Sequence, residues 1–324
     1  MTPQTKPRYS IIIPVYNSVG TLDALASRIG QVLAESIGAS YEILMVDDAS
    51  PNPETWPTLV DLAKRDPHVR ALQLTRNFGR HPAVICGLTH ARGEYVVTMD
   101  DDLQHRPEDL PLLIAQQHHD IVFANFSRKN HGYLRRMASS IKGWFDVVLI
   151  GKPPGVYVSA FLLTNERIKS TMLQIATPFP FIPALLFFVS RDAVGVQTVH
   201  APRMEGKSGY TLRKLLSQFF NLLIGNSSFL LRMISLIGST VSLLSFLFAV
   251  VIVVRKVFVG IDVPGWATLV VATSVLQGLV LLGIGVMGEY LLRLLVSSEH
   301  RPCYVLRTEA SAHRATAPDG ANSP

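Results

Sequence analysis

Cysteine is nearly absent: among 324 residues only Cys86 and Cys303 occur, too few and too far apart for a disulfide framework or a zinc-ligand spacing. Charge is also scarce, with 17% Asp, Glu, Lys and Arg against 48% hydrophobic residues. Met1 to Arg8 is polar and basic and leads straight into an apolar run, with no h-region and no small-residue cleavage site. A signal peptide is therefore not expected, and the soluble part is expected in the cytosol, where nucleotide-activated donors are made. No Gly-x-Gly-x-x-Gly follows an early apolar run, which removes the dinucleotide-binding fingerprint. Glu205-Gly-Lys-Ser208 looks like the end of a P-loop, but Ala201 stands where the first glycine belongs, which argues against a nucleoside triphosphatase.

What is present is positive charge and concentrated hydrophobicity. The formal net charge is +6, the pI about 9.4 and the mean hydropathy +0.28. Such a balance fits nucleic acid, an anionic membrane surface or a phosphorylated substrate. The apolar excess falls after Phe219, which favours membrane lipids and a phosphorylated substrate, with no nucleic-acid partner expected.

Four apolar, largely β-branched runs, Tyr9 to Val15, Glu42 to Val46, Val69 to Leu74 and Tyr95 to Met99, alternate with helical patterns. This predicts an α/β fold with a mostly parallel sheet and helices on both faces, over a domain spanning 1–210. Leu22, Leu25, Ile29, Leu33 and Ile37 form one such helical stripe. Residues 211–231 read as an interfacial amphipathic helix, with Leu212, Leu215, Phe219 and Phe220 beside Arg213 and Lys214. An ordinary core helix is the alternative. Within 232–295, two apolar stretches at about 233–254 and 267–287 are each long enough to cross roughly 30 Å of hydrocarbon. They predict a transmembrane hairpin whose flanking Arg and Lys residues put both ends in the cytosol. Gly278, Gly283, Gly285 and Gly288 would let the two spans pack closely; the oligomeric state stays open, a homo-oligomer among the alternatives. Residues 296–324 are expected to be a cytosolic tail, largely disordered after 307 because the composition turns to Ala, Ser, Pro and Gly.

The chemistry concentrates at Asp100, Asp101 and Asp102, which end the fourth apolar run. Adjacent carboxylates repel one another unless a cation joins them, and hard oxygen ligands suit Mg²⁺ or Mn²⁺ bridging the phosphates of a nucleotide. In an extended chain Asp100 and Asp102 face one way and Asp101 the other. A solvated acidic turn before Pro107 is the bland alternative. A second pair, Asp47 and Asp48, ends the second run, where open α/β sheets bind ligands; an Asx turn would account for it equally well. His81 and His105 lie close to these motifs in sequence and are further candidates.

In order and spacing, Ser10-Ile-Ile-Ile-Pro-Val-Tyr-Asn17, Val46-Asp-Asp-Ala-Ser50, Arg76-Asn-Phe-Gly79 and Met99-Asp-Asp-Asp-Leu-Gln104 resemble the inverting glycosyltransferases of GT-A fold. His200, Arg203, Glu205-Gly-Lys-Ser-Gly-Tyr210 and Gly288-Glu-Tyr-Leu-Leu-Arg293 make the chain similar to the polyprenyl-phosphate branch, from dolichol-phosphate-mannose synthases to undecaprenyl-phosphate sugar transferases. The resemblance covers roughly residues 9 to 305.

It implies metal-dependent, inverting transfer of a sugar from a UDP- or GDP-type donor to a polyprenyl phosphate, supplying lipid-linked sugar for cell-envelope glycan or lipopolysaccharide modification. By position, Pro14, Tyr16 and Asn17 would line the nucleotide pocket and Asp48 would accept from the base. Asp100 and Asp102, with Gln104 beside them, would hold the metal. The chain departs from the pattern at Ser18, where an acid is frequent, and at Val156 to Leu162, where an Asp and an Arg are common. A missing catalytic base is tolerable because a lipid phosphate is already anionic. Holding two anions in line is the harder task, and Arg128, Arg135, Arg136, Arg203 and Lys207 are the candidate cations, with Arg203 and Lys207 foremost. Two other readings stand beside this one. A processive polysaccharide synthase would need a Gln-x-x-Arg-Trp signature, which is missing, and a non-catalytic lipid-phosphate-binding membrane module would not need the Asp100/Asp102 pair.

Overall fold

A computed structural model describes residues 6–126, 151–153, 156–175, 177, 180–198, 265–298 and 302–312, with isolated positions between 236 and 258. The chain divides into two compact units, Met1–Gly209 together with His300–Pro324, and Tyr210–Glu299.

In the first unit eight strands form one sheet: β1 (Tyr9–Val15), β2 (Tyr41–Asp47), β3 (Val69–Leu74), β4 (Tyr95–Thr98), β5 (Ile121–Phe126), β6 (Leu162–Asn165), β7 (Ala193–Thr198) and β8 (Leu306–Ser311). Their spatial order is β7-β5-β6-β4-β1-β2-β3-β8. The central strands β4, β1, β2 and β3 run parallel, whereas β6 is antiparallel to both β4 and β5, and β8 to β3. Because β6 opposes both β4 and β5, β5 runs parallel to the central strands, and β7 is parallel to β5, so six of the eight strands share one direction and the sheet is mostly parallel, as expected, with β6 and β8 reversed. Strand β1, at the centre, has the uninterrupted apolar run that a doubly covered sheet requires; Ile11, Ile12 and Ile13 are all fully buried.

Helices α1 (Leu22–Gly30), α2 (Thr55–Arg65) and α3 (Arg80–His90) follow β1, β2 and β3. The α1 stripe packs as expected, with Leu22, Leu25 and Ile29 buried. A Cβ added to Gly87 of α3 would lie 2.4 Å from Ile12, so this helix seats closely on β1. Strand β8 carries ordered structure past 307, where the disordered tail was expected to begin: residues through Ser311 pair with β3, and Arg70 Nη2 binds Glu309 at 3.0 Å, while 313–324 lie outside the described residues. A polar edge strand is held by backbone pairing and needs no apolar period.

The second unit contains the 33-residue helix Trp266–Ser298, which includes the second predicted span and is about 50 Å long at 1.5 Å per residue. Its side chains are described only in part. Over the described residues no helix is long and apolar enough to cross a membrane. Most of the first predicted span and the whole of 211–231 lie outside the described residues.

Candidate active site

Strands β1, β2 and β4 end side by side, and the loop after each contains a non-glycine residue in the left-handed region: Asn17 (φ 63°), Ala49 (φ 51°) and Leu103 (φ 58°). That conformation costs an L-residue roughly 1–2 kcal/mol. Three such residues at the carboxyl ends of neighbouring strands mark the place where open α/β sheets bind ligands.

Polar ties hold these loops together. The Asn17 amide donates to Ser50 Oγ at 2.9 Å, and Asn17 Oδ1 accepts from the Asn52 amide at 3.1 Å. Asp47, fully buried, accepts from the Ser50 amide and hydroxyl at 3.0 and 2.6 Å and from Gln73 Nε2 at 3.0 Å. Asp48 accepts from the amides of Phe78 and Gly79 at 2.7 and 2.8 Å. Burial raises its pKa, these two amides lower it and Asp47 raises it further. The Asp47/Asp48 pair therefore shapes two loops, and the carboxylate assigned by resemblance to the nucleotide base is engaged by the Arg76-Asn-Phe-Gly79 turn. Gly79, at φ 99°, turns the chain into α3.

The acidic triplet divides its labour. Asp100 meets Arg80 at the first position of α3: Arg80 Nε and Nη2 each lie 2.8 Å from Asp100 Oδ1. The Asp100 amide donates to His105 Nδ1 at 2.9 Å, which puts the proton of the neutral imidazole on Nε2. His105 is buried and stacks on Phe161 at 5.4 Å. Asp101 accepts from the Tyr16 amide at 3.4 Å, while its carbonyl accepts from Thr21 Oγ1 at 2.7 Å. Its pKa is pushed up to about 6 chiefly by burial, with Asp100 and Asp102 adding to the shift and the Ser18 side chain and the Tyr16 amide opposing it. Asp102 is half-buried, and its Oδ1 accepts from the Gln104 amide at 3.1 Å.

Tyr16 is about half exposed beside this cluster, and Pro14 is half-buried in β1. Phe161, in the stretch where an Asp and an Arg are common in the resembled family, is core under His105. His81 Nδ1 is enclosed with no hydrogen-bond partner among the described residues, and its pKa is depressed to about 3, first by burial, then by Arg80, against the pull of Asp100. Arg128, Arg135, Arg136, Arg203 and Lys207 lie outside the described residues. Arg80 escaped the sequence reading, although it directly follows the Arg76-Asn-Phe-Gly79 motif at the start of a helical pattern.

Among the described residues no three His, Cys, Asp or Glu side chains form a ready-made metal cage. The donor chemistry nonetheless suits a hard divalent cation, because Asp100 and Asp102 present carboxylate oxygens on a partly exposed strand end. Mg²⁺ and Mn²⁺ sites at phosphates commonly use one or two carboxylates and take their remaining ligands from substrate and water.

The sheet with acids at its central strand ends defines a GT-A-like glycosyltransferase domain. Residues 10–194 match the family described as "Glycosyl transferase family 2", and the chain belongs to it. The undecaprenyl-phosphate 4-deoxy-4-formamido-L-arabinose transferase of Erwinia tasmaniensis is 30% identical over 96% of this chain and 97% of its own length. That of Pectobacterium atrosepticum is 33% identical over 94% of each. Among solved structures, glucosyl-3-phosphoglycerate synthase of Mycobacterium tuberculosis with Mn²⁺, UDP-glucose and phosphoglyceric acid covers 67% of this chain and 78% of its own. Its TM-score of 0.46 and identity of 14% are too low to inform the chemistry.

Proposed function

We propose that this glycosyltransferase moves a sugar from a nucleotide diphosphate donor to undecaprenyl phosphate at the cytosolic face of a bacterial inner membrane, with inversion at the anomeric carbon. The product would be a lipid-linked sugar for cell-envelope or lipopolysaccharide modification. The observation that carries this reading is the Asp100/Asp102 pair just after β4, beside the left-handed Asn17 turn, in a chain that matches undecaprenyl-phosphate sugar transferases along almost its whole length.

Asp100 and Asp102 would hold Mg²⁺ or Mn²⁺, with Gln104 beside them; when bound, the ion neutralises charge developing on the departing nucleotide diphosphate. Tyr16, Asn17 and Pro14 line the approach of the nucleotide, and Asp101 fixes that loop to the metal-binding strand through the Tyr16 amide. Arg128, Arg135, Arg136, Arg203 and Lys207 would receive the acceptor phosphate, whose standing negative charge makes a dedicated base unnecessary. The segments 233–254 and 267–287 would form a membrane hairpin that keeps the domain at the lipid surface, and its glycines would allow homo-oligomers.

The test is a donor-by-acceptor screen on detergent-purified protein, starting with UDP- and GDP-sugars, 4-deoxy-4-formamido-L-arabinose among them, with Mn²⁺ or a chelator. Metal-dependent release of nucleotide diphosphate that requires polyprenyl phosphate is expected, with Asp102→Asn reducing it at least a hundredfold while the melting temperature holds. Wild-type turnover by Asp102→Asn at saturating Mn²⁺ would sink the metal assignment, and release indifferent to the lipid would sink the acceptor.

A further inference from the structure

The helix Ile182–Val189 is apolar on all sides, yet only part of it is buried. Ile182, Leu185, Leu186 and Phe187 face the core at 7% exposure or less, whereas Phe188 is 81% exposed. Ala184 and Phe188, four residues apart, share the outward face, and Phe181 stands just before the helix as its extended N-cap; Phe181 and Ala184 are half-buried. The stripe begins beside the reacting groups: the Phe181 ring meets His81 edge-on at 5.0 Å, and the adjacent Arg80 holds Asp100 at 2.8 Å. From Phe181 to Phe188 it runs outward for about 10 Å at 1.5 Å per residue, with the small Ala184 leaving a dip between two aromatic rings.

An exposed phenylalanine on a path that starts at the active site calls for an apolar occupant. Two phenylalanines and an alanine offer at most about 400–500 Å², well below the roughly 800 Å² per partner of a stable protein interface. A single hydrocarbon chain matches that size. We propose that the outward face of Ile182–Val189, from Phe181 across Ala184 to Phe188, seats the isoprene units next to the phosphate of the lipid acceptor. The proposal rests on the function proposed above, and it adds the place where this chain recognises the acceptor's hydrocarbon.

Chain length separates the two. Dimethylallyl phosphate carries one isoprene unit and would reach only the Phe181 end; farnesyl phosphate carries three and would pass Phe188. In the wild-type enzyme with saturating donor and Mn²⁺, the acceptor KM should be at least tenfold lower for farnesyl than for dimethylallyl phosphate. Phe188→Ser should cut that ratio by about tenfold, equivalent to roughly 1.4 kcal/mol, with donor KM unchanged; Phe188→Leu should retain most of it. Melting curves check that the exposed substitution leaves the fold intact. An unchanged ratio in Phe188→Ser overturns the proposal, and if oligomeric state shifts instead, the stripe belongs to a second copy. Loss of vesicle binding with an unchanged ratio assigns it to the bilayer and overturns the proposal equally. If the wild-type enzyme uses no polyprenyl phosphate, the proposed function itself fails and the stripe falls with it.

Discussion

Arg80 reaches one carboxylate oxygen of Asp100 through both Nε and Nη2, each at 2.8 Å. The guanidinium partly neutralises a carboxylate proposed as a metal ligand, so it competes electrostatically with the cation. Arg80→Ala should lower the Mn²⁺ concentration for half-maximal activity by several-fold while kcat falls, because Asp100 also loses the partner that fixes its rotamer. Stability should change by less than about 1 kcal/mol, since both side chains are roughly a third exposed. A Mn²⁺ titration of the initial rate checks this, and an identical titration curve would show that Arg80 does not tune the site.

How much of this was legible in the sequence depended on range. The runs that became β1 to β4 announced themselves because strands covered on both faces must be continuously apolar, and the acids at their ends followed from the topology of open sheets. Asn17 in a left-handed turn suits its residue type. The reversed strands β6 and β8 were silent by comparison, and β8 reads Leu-Arg-Thr-Glu-Ala-Ser, too polar to show a period. The roles of Asp48 and Arg80 were hidden for another reason: their partners lie 30 and 20 residues away, and no local pattern encodes a contact at that distance.

Glu42 supplies the clearest prediction about pH and stability. It is 3% exposed and accepts from Ser10 Oγ and the Arg92 amide, each at 2.7 Å, and from Arg70 Nη1 and Arg92 Nη2, each at 3.0 Å. Burial alone would raise its pKa, but the Arg92 amide, Ser10 and the two guanidinium groups together lower it below the ordinary value of 4.5. A lowered native pKa means that the unfolded state binds the proton more readily, so stability is present in full above pH 4.5 and is lost as pH falls through the native value. Glu42→Ala should destabilise by about 3–5 kcal/mol at neutral pH, as expected for breaking a buried ion pair. Glu42→Gln should show a flatter acid limb than the wild type. Urea melts from pH 7 down to 3 measure both, and parallel limbs would refute the assignment.

The proposed hairpin would make the protein integral to the membrane. Hydrocarbon spans are held by the hydrophobic effect, which neither salt nor alkaline carbonate screens, so full-length protein should stay in the pellet after both washes. In a variant lacking both native cysteines, Asp262→Cys should react with an impermeant maleimide from the periplasmic side. Labelling confined to inverted vesicles would reverse the topology, and release by carbonate would remove the hairpin.

Arg203 tests the proposed acceptor phosphate site, because in the sequence it falls after the last strand run before the apolar segments, in a stretch dense in cations that includes Lys207. A charge-assisted hydrogen bond to phosphate is worth about 1.5–3 kcal/mol. Arg203→Ala should therefore raise the acceptor KM by roughly 10- to 150-fold with the donor KM nearly unchanged. If Arg203 instead rests on anionic headgroups, its loss would amount to about 1 kcal/mol and would disappear in neutral detergent, where no surface potential exists. Acceptor kinetics of Arg203→Ala in a neutral detergent and in anionic vesicles distinguish the two: a defect that persists in detergent keeps Arg203 at the phosphate, and one seen only in vesicles removes it from the site.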